Sequence, residues 1–264
     1  MSADRPSRPT RRRVLLGLFT LAATAAGTGC SASRSERSMD LGAGPSRQAV
    51  PSGGNPPSAP AAPATPPPTT ITGLGPKTLA QLPAVSRQAV VATGDAADSA
   101  LTSVRLWTAD AAGHWTPAGG PWPGHNGRDG WTEQHHVGDL HSPIGVFTLT
   151  DAGGRLPNPG TALPYDRSDS FVIDGDGFEG EPLDGSFDYV VAIDYNRVPG
   201  RSPLDTSQPM GRSRGGGVWL HVDHGGPTHA CVSLAQSDLV TLLKALDPAA
   251  HPVIVMGPRD HLAR

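Results

Sequence analysis

Residues 217–234 read GVWLHVDHGGPTHACVSL. The apolar run at 218–222 predicts a strand, and a helical pattern follows the segment. Between them His221, Asp223, His224, His229 and Cys231 are crowded into one short loop and its flanks. All five are competent zinc ligands, and a histidine beside a cysteine is also the pairing of a thiol nucleophile with its base.

Downstream, Leu239, Leu242, Leu243 and Leu246 repeat at helical spacing. A helix is therefore expected over 237–246, with Ser237 as its cap and Asp247-Pro248 as its stop. A last strand is expected at 252–256. Upstream, β-branched and aromatic residues predict strands at 88–93, 103–109, 144–149, 171–173 and 189–195, with a hairpin turn over 109–113. Residues 119–130 read as a glycine-rich loop without the strand-to-helix context of a phosphate loop. The expected fold is mostly β, with one short helix directly after the cysteine.

The chain has 264 residues, and much of its 28 prolines lies before position 70. What remains is an ordinary domain with ample material for a core. A net charge of −3 gives no reason to expect a nucleic-acid partner. No hydrophobic span long enough to cross a membrane follows the first thirty residues.

Those first residues read as an export signal. Arg5, Arg8, Arg11, Arg12 and Arg13 form a basic region, and an apolar stretch at 14–26 is too short for a stable span. Gly27-Thr28-Gly29-Cys30 resembles the end of a bacterial lipoprotein signal, cut before Cys30 so that its thiol carries lipid. An ordinary secretory signal, with Cys30 left as a free thiol, is the alternative. The run at 10–16 also resembles a twin-arginine signal, against a plain basic region. The expected location is outside the cytoplasm, anchored by lipid to the cell membrane. Residues 31–70 are rich in Pro, Ala and Ser and read as a disordered linker, either a semi-flexible stalk or a tail without mechanical role. The globular domain is expected at 71–264.

The acidic loop at 174–188 carries Asp174, Asp176, Glu179, Glu181, Asp184 and Asp188. A calcium loop would place a ligand where Phe178 stands, so a solvated flap near the active site is expected instead.

An exported protein usually pairs its cysteines, and lipidation of Cys30 leaves Cys231 single. A buried Cys acting as a small apolar residue would explain that. The neighbouring histidines favour a nucleophile, because an imidazole can both draw off the thiol proton and stabilise the anion.

The order of a histidine ending an apolar strand, a short loop and then Thr228-His229-Ala230-Cys231-Val232-Ser233-Leu234 resembles the L,D-transpeptidase catalytic domain (YkuD-like). A second match is Gly138-Asp139-Leu140-His141-Ser142-Pro143-Ile144-Gly145-Val146-Phe147, similar to that family's G-D-x-x-T-P-x-G-x-F segment. A third is Asp194-Tyr195-Asn196, similar to a D-Y-N in one exported branch. Together they span about 85–258. Ala230 departs from the family's glycine and Ser233 from its arginine or asparagine. The resemblance implies an L,D-transpeptidase-like β-sandwich or barrel that works without a cofactor or metal.

It also implies acyl transfer on peptidoglycan stem peptides. Cys231 would attack the carbonyl of the third stem residue, with His221 as general base and His229 or Asp223 orienting it. Backbone N–H groups of Ala230 and Cys231 would form the oxyanion hole. His224, Tyr195 and Asn196 are carried over as orienting or substrate-contacting candidates, His224 more as a loop residue. His141 and the pair His135-His136 line the cleft or stand in exposed loops. Two other functions stay open: a degenerate domain that binds cell wall without cutting it, and a zinc-dependent peptidase. If Cys30 carries lipid, Cys30→Ala moves the protein from the membrane fraction to the soluble one, and retention in membranes counts against the anchor.

Overall fold

The computed structural model describes residues 69–264. The expected signal peptide at 1–30, with Cys30, and the linker up to residue 68 lie outside the described residues.

The first described elements are α1 (Pro76–Leu79), β1 (Gln88–Gly94), β2 (Leu101–Ala109) and β3 (Trp115–His125). Six short strands follow: β4 (Trp131–Thr132), β5 (Ser142–Pro143), β6 (Gly145–Thr148), β7 (Ala152–Gly154), β8 (Tyr165–Arg167) and β9 (Val190–Ala192). Then come β10 (Trp219–Val222), β11 (Val232–Leu234), α2 (Gln236–Ala245), β12 (Val253–Pro258) and α3 (Arg259–Leu262). Short 3₁₀ turns stand at Arg212–Arg214 and Pro248–Ala250. Ten strands form one mixed sheet in the order β6-β12-β1-β2-β3-β11-β10-β9-β7-β8, and β4 pairs with β5 apart from it. The protein is mostly β, as its sequence pattern predicts. Among the described residues no helix is long and apolar enough to cross a membrane.

Side chains alternate across a strand, so the apolar text of each strand states how many of its faces are covered. On β1 and β12, Val90, Ala92, Ile254 and Met256 enter the main core. Their neighbours Ala89, Val91, Val253 and Val255 turn to a second core with Ile71, Leu74, Trp107, Trp115 and Leu262. Both faces are buried, which is why these strands are continuous apolar runs. β10 and β11 are different. Leu220, Val222, Val232 and Leu234 enter the main core under Leu239, Leu242, Leu243 and Leu246 of the α2 segment. The alternate residues Trp219, His221, Cys231 and Ser233 are left for the opposite face.

Several expectations need correction. A strand, β11, separates Cys231 from α2, so the helix does not follow the cysteine directly. Two further short helices, α1 and α3, are present. Ser237 is not the cap of α2: Ala235 holds that position and contributes no side-chain hydrogen bond. The supposed glycine loop belongs to β3 as far as His125. Pairing with β2 on one side and β11 on the other overrides the poor strand propensity of its Gly and Pro, at the cost of register shifts against β2. Residues 171–173 are not a strand. Phe171 is buried against Trp219, ring centroids 5.8 Å apart, so its apolar character serves packing rather than a ladder. Of 189–195 only β9 pairs, because the chain turns away at Asn196, whose φ of 46° is left-handed.

Leu242 is fully buried on α2. Leu242→Ala is expected to lower unfolding free energy by about 2–5 kcal/mol in chemical denaturation, the cost of a buried cavity.

Candidate active site

Parallel pairing of β10 with β11 sets His221 opposite Ser233, and antiparallel pairing of β11 with β3 sets Ser233 opposite His125. Residues in register point to the same face, so His221, Ser233 and His125 form a polar row across three strands. Cys231 stands two positions before Ser233, on that face and diagonal to His221. The apolar residues between them point the other way. One alternation therefore serves core and site together.

His221 and Cys231 line the same pocket of about 200 Å³. Its other walls include Phe178, Leu183 and Phe187 from the acidic loop, and Gly217 and His229. The loop is thus a flap over the cysteine, and it is tied down at its end: the N–H of Val222 donates to the Ser186 carbonyl at 3.0 Å.

His221 is buried, and its Nδ1 lies 2.8 Å from the Val222 carbonyl. A carbonyl only accepts, so Nδ1 carries the proton and Nε2 is left with its lone pair. Burial pushes the imidazole down to about 4, which keeps it a neutral base at ordinary pH. Cys231 is half-buried. Its Sγ accepts from the Trp219 N–H at 3.4 Å and donates to the Gly217 carbonyl at 3.6 Å. Enclosure pushes the thiol up to about 11, against the small opposing effect of the Trp219 N–H. The resting pair is imidazole and thiol, not imidazolium and thiolate.

Asp223 does not orient His221. Its carboxylate accepts from Ser233 Oγ at 2.8 Å and stands 2.9 Å from His125 Nδ1. Burial works against its charge, but the His125 and Ser233 hydrogen bonds outweigh that and hold the carboxyl at about 2. In return the hydrogen bond to Asp223 raises His125, against desolvation. Ser233 is fully buried and supports this pair through its hydroxyl. His229 does not orient His221 through any contact here: it is exposed and packs against Phe178 at a 44° tilt, centroids 4.7 Å apart.

His224, expected mainly as a loop residue, is drawn into the site. Its ring lies nearly parallel to that of His221, 5.7 Å away at 11°, and its Nδ1 is 3.1 Å from Glu181 Oε1. Glu181 comes from the flap. Its own N–H, that of Glu179 and His224 together hold the carboxyl below its usual range despite desolvation.

Tyr195 and Asn196 do not line the cysteine pocket. Tyr195 is buried, and its hydroxyl donates to the Arg214 carbonyl at 2.9 Å. Asn196 Nδ2 donates to the carbonyls of Gly211 and Gly215, and its Oδ1 accepts from the Met210 N–H at 2.7 Å. Both clamp the segment that leads into β10. In the upstream motif, Asp139 accepts from the N–H groups of His136 and His141 and pairs with His135, which is buried, while His136 is exposed. Ser142 reaches the cysteine strand: its Oγ donates to the Ala230 carbonyl at 2.8 Å.

Ala230 fits without strain. Its φ is not positive, and its methyl packs on the main core. Among the described residues the N–H groups of Ala230 and Cys231 have no backbone acceptor, as an oxyanion hole requires. Among the same residues no three His, Cys, Asp or Glu side chains are arranged to hold a metal ion.

His125 and Glu181 were missed. His125 sits in the Gly/Pro-rich text of β3, where nothing marks a strand, and Glu181 is one acid among six in its loop.

The two histidines have opposite pH signatures. His221 is lowered from 6.5 to about 4, so its contribution to stability is full above 6.5 and is lost as pH falls toward 4. His125 is raised, so its contribution is full below 6.5 and is lost as pH rises through its folded value. An NMR titration of the ring protons is expected to leave His221 neutral from about pH 8 to 5 while His125 titrates above the ordinary histidine value. Asp223→Asn should bring His125 back down. No protein-family model and no curated protein matches the chain.

Proposed function

We propose that the chain is an exported L,D-transpeptidase-like acyltransferase acting on peptidoglycan stem peptides through a thioester at Cys231. One observation carries the proposal: His221 of β10 and Cys231 at the entry to β11, its pairing partner, line one pocket, with His221 fixed in the tautomer that leaves Nε2 as a base. The resemblance of residues 138–147, 194–196 and 228–234 to the family supplies the substrate class. In that light the large mixed sheet is the family's sandwich or barrel, and the N-terminal text is its route to the envelope and its lipid anchor.

The chemistry follows from a neutral pair. On substrate binding the thiol turns from the Gly217 carbonyl toward His221. Nε2 takes the proton as sulfur attacks the carbonyl of the third stem residue. Backbone N–H groups at Ala230 and Cys231 stabilise the oxyanion. The tetrahedral species collapses as the imidazolium returns its proton to the departing amine, which releases the terminal D-amino acid and leaves the thioester. His221 then deprotonates the acceptor. A side-chain amine of a neighbouring stem gives a 3→3 cross-link, and water gives a trimmed stem. No cofactor enters any step. The His224 ring, held by Glu181 of the flap, stacks on His221 and limits how far the base can tilt.

Cys231→Ala is expected to abolish release of D-alanine from tetrapeptide stems. His221→Gln should lower the rate about 10²–10⁴-fold, the usual worth of a positioned general base. Mass spectrometry of stem fragments checks both. Full activity in the Cys231 variant would remove the thioester from the mechanism.

A further inference from the structure

We infer that Ser142 is a positioning residue for acyl transfer, which it serves by aiming the Cys231 N–H at the developing oxyanion. The inference rests on the thioester reading above and assigns a role to a residue far away in the chain.

Ser142 lies on β5, is fully buried, and is held by its own N–H donating to the Gly130 carbonyl at 2.8 Å. Its hydroxyl has one proton, and its surroundings determine where that proton goes. Oγ accepts from the Gly127 N–H at 2.9 Å. The Ala230 carbonyl, 2.8 Å away, has no hydrogen to give and must accept. The Cys231 carbonyl is also near, at 3.3 Å, but it already takes the Thr228 hydroxyl at 2.7 Å. Ser142 therefore holds the Ala230 oxygen.

In a planar trans peptide the N–H points opposite to the C=O. The Ala230–Cys231 bond is trans, so anchoring the Ala230 oxygen fixes the direction of the Cys231 N–H. That N–H has no backbone acceptor among the described residues. The support is stiff. A Cβ on Gly127 would fall 2.6 Å from the Leu140 oxygen and 2.7 Å from the Ser142 nitrogen, so glycine is what lets the two segments close on each other. The Ser/Thr position of the upstream motif thus acts on the nucleophile's peptide plane without touching the pocket.

Two reagents separate this role from general support. p-Nitrophenyl acetate acylates a thiol through a tetrahedral oxyanion: sulfur bonds to the carbonyl carbon, p-nitrophenolate leaves, and the thiol proton passes to His221 and then to solvent. Iodoacetamide alkylates by direct displacement of iodide, with the same proton transfer and no oxyanion. In Ser142→Ala, thioester formation at Cys231 is expected to slow about 10- to 100-fold, the scale of misaligning one oxyanion donor rather than losing it. Alkylation should keep its wild-type rate, and Ser142→Thr, which retains the hydroxyl, should restore acylation. Acylation unchanged in Ser142→Ala overturns the inference, and so does an equal fall in both rates, which marks a merely structural role. If wild-type protein is alkylated at Cys231 but never acylated there, the thioester reading itself fails, and the inference falls with it.

Discussion

The pairing of β10 with β11 is the constraint on which the rest depends. Three residue pairs in parallel register do two things at once. They send Leu220, Val222, Val232 and Leu234 beneath α2, and they bring His221 and Cys231 to the opposite face. A slip of one residue would exchange the two sets, burying the polar side chains in the core and exposing the leucines. The hydrophobic core therefore enforces the register that brings His221 and Cys231 into one pocket. No separate device is required to hold imidazole and thiol on one face.

Around that pair the polar groups are arranged in layers. Val222 serves twice, giving its N–H to Ser186 of the flap and its carbonyl to His221. The His125–Asp223–Ser233 group lies along the row from His221, and its members pair mainly with one another. Such a half-buried pair is satisfied by its own partners and costs little as long as all are present. The upstream motif and the Tyr195–Asn196 clamp hold the loops on either side. The flap closes the top with Phe178, which packs against His229 beneath it and carries the Arg128 guanidinium 4.9 Å from its ring.

Much of this was legible in the sequence, and the rest was hidden for physical reasons. β1, β12 and α2 declare themselves because two-face burial and helical spacing leave strong patterns. His221 and Cys231 stand out because a lone thiol among histidines is rare text. β3 is hidden because its glycines and prolines argue for a loop, while its two neighbours impose a strand on it. β11 is only three residues long and carries no period of its own. Asp223 is carried over as an orienting group for His221, yet its partners come from β3 and β11: the carboxylate is taken up by His125 and Ser233, a pairing across strands that local sequence does not show. Glu181 depends on a loop folding back over His224, a contact with no local signature.

The neutral state of Cys231 has a further consequence. Peroxide and other oxidants attack thiolates, and a sulfur that holds its proton against the Gly217 carbonyl offers them little. The enclosure that keeps the Cys231 thiol protonated also spares it from sulfenic acid. Low reactivity at rest and chemical endurance are two sides of one enclosure.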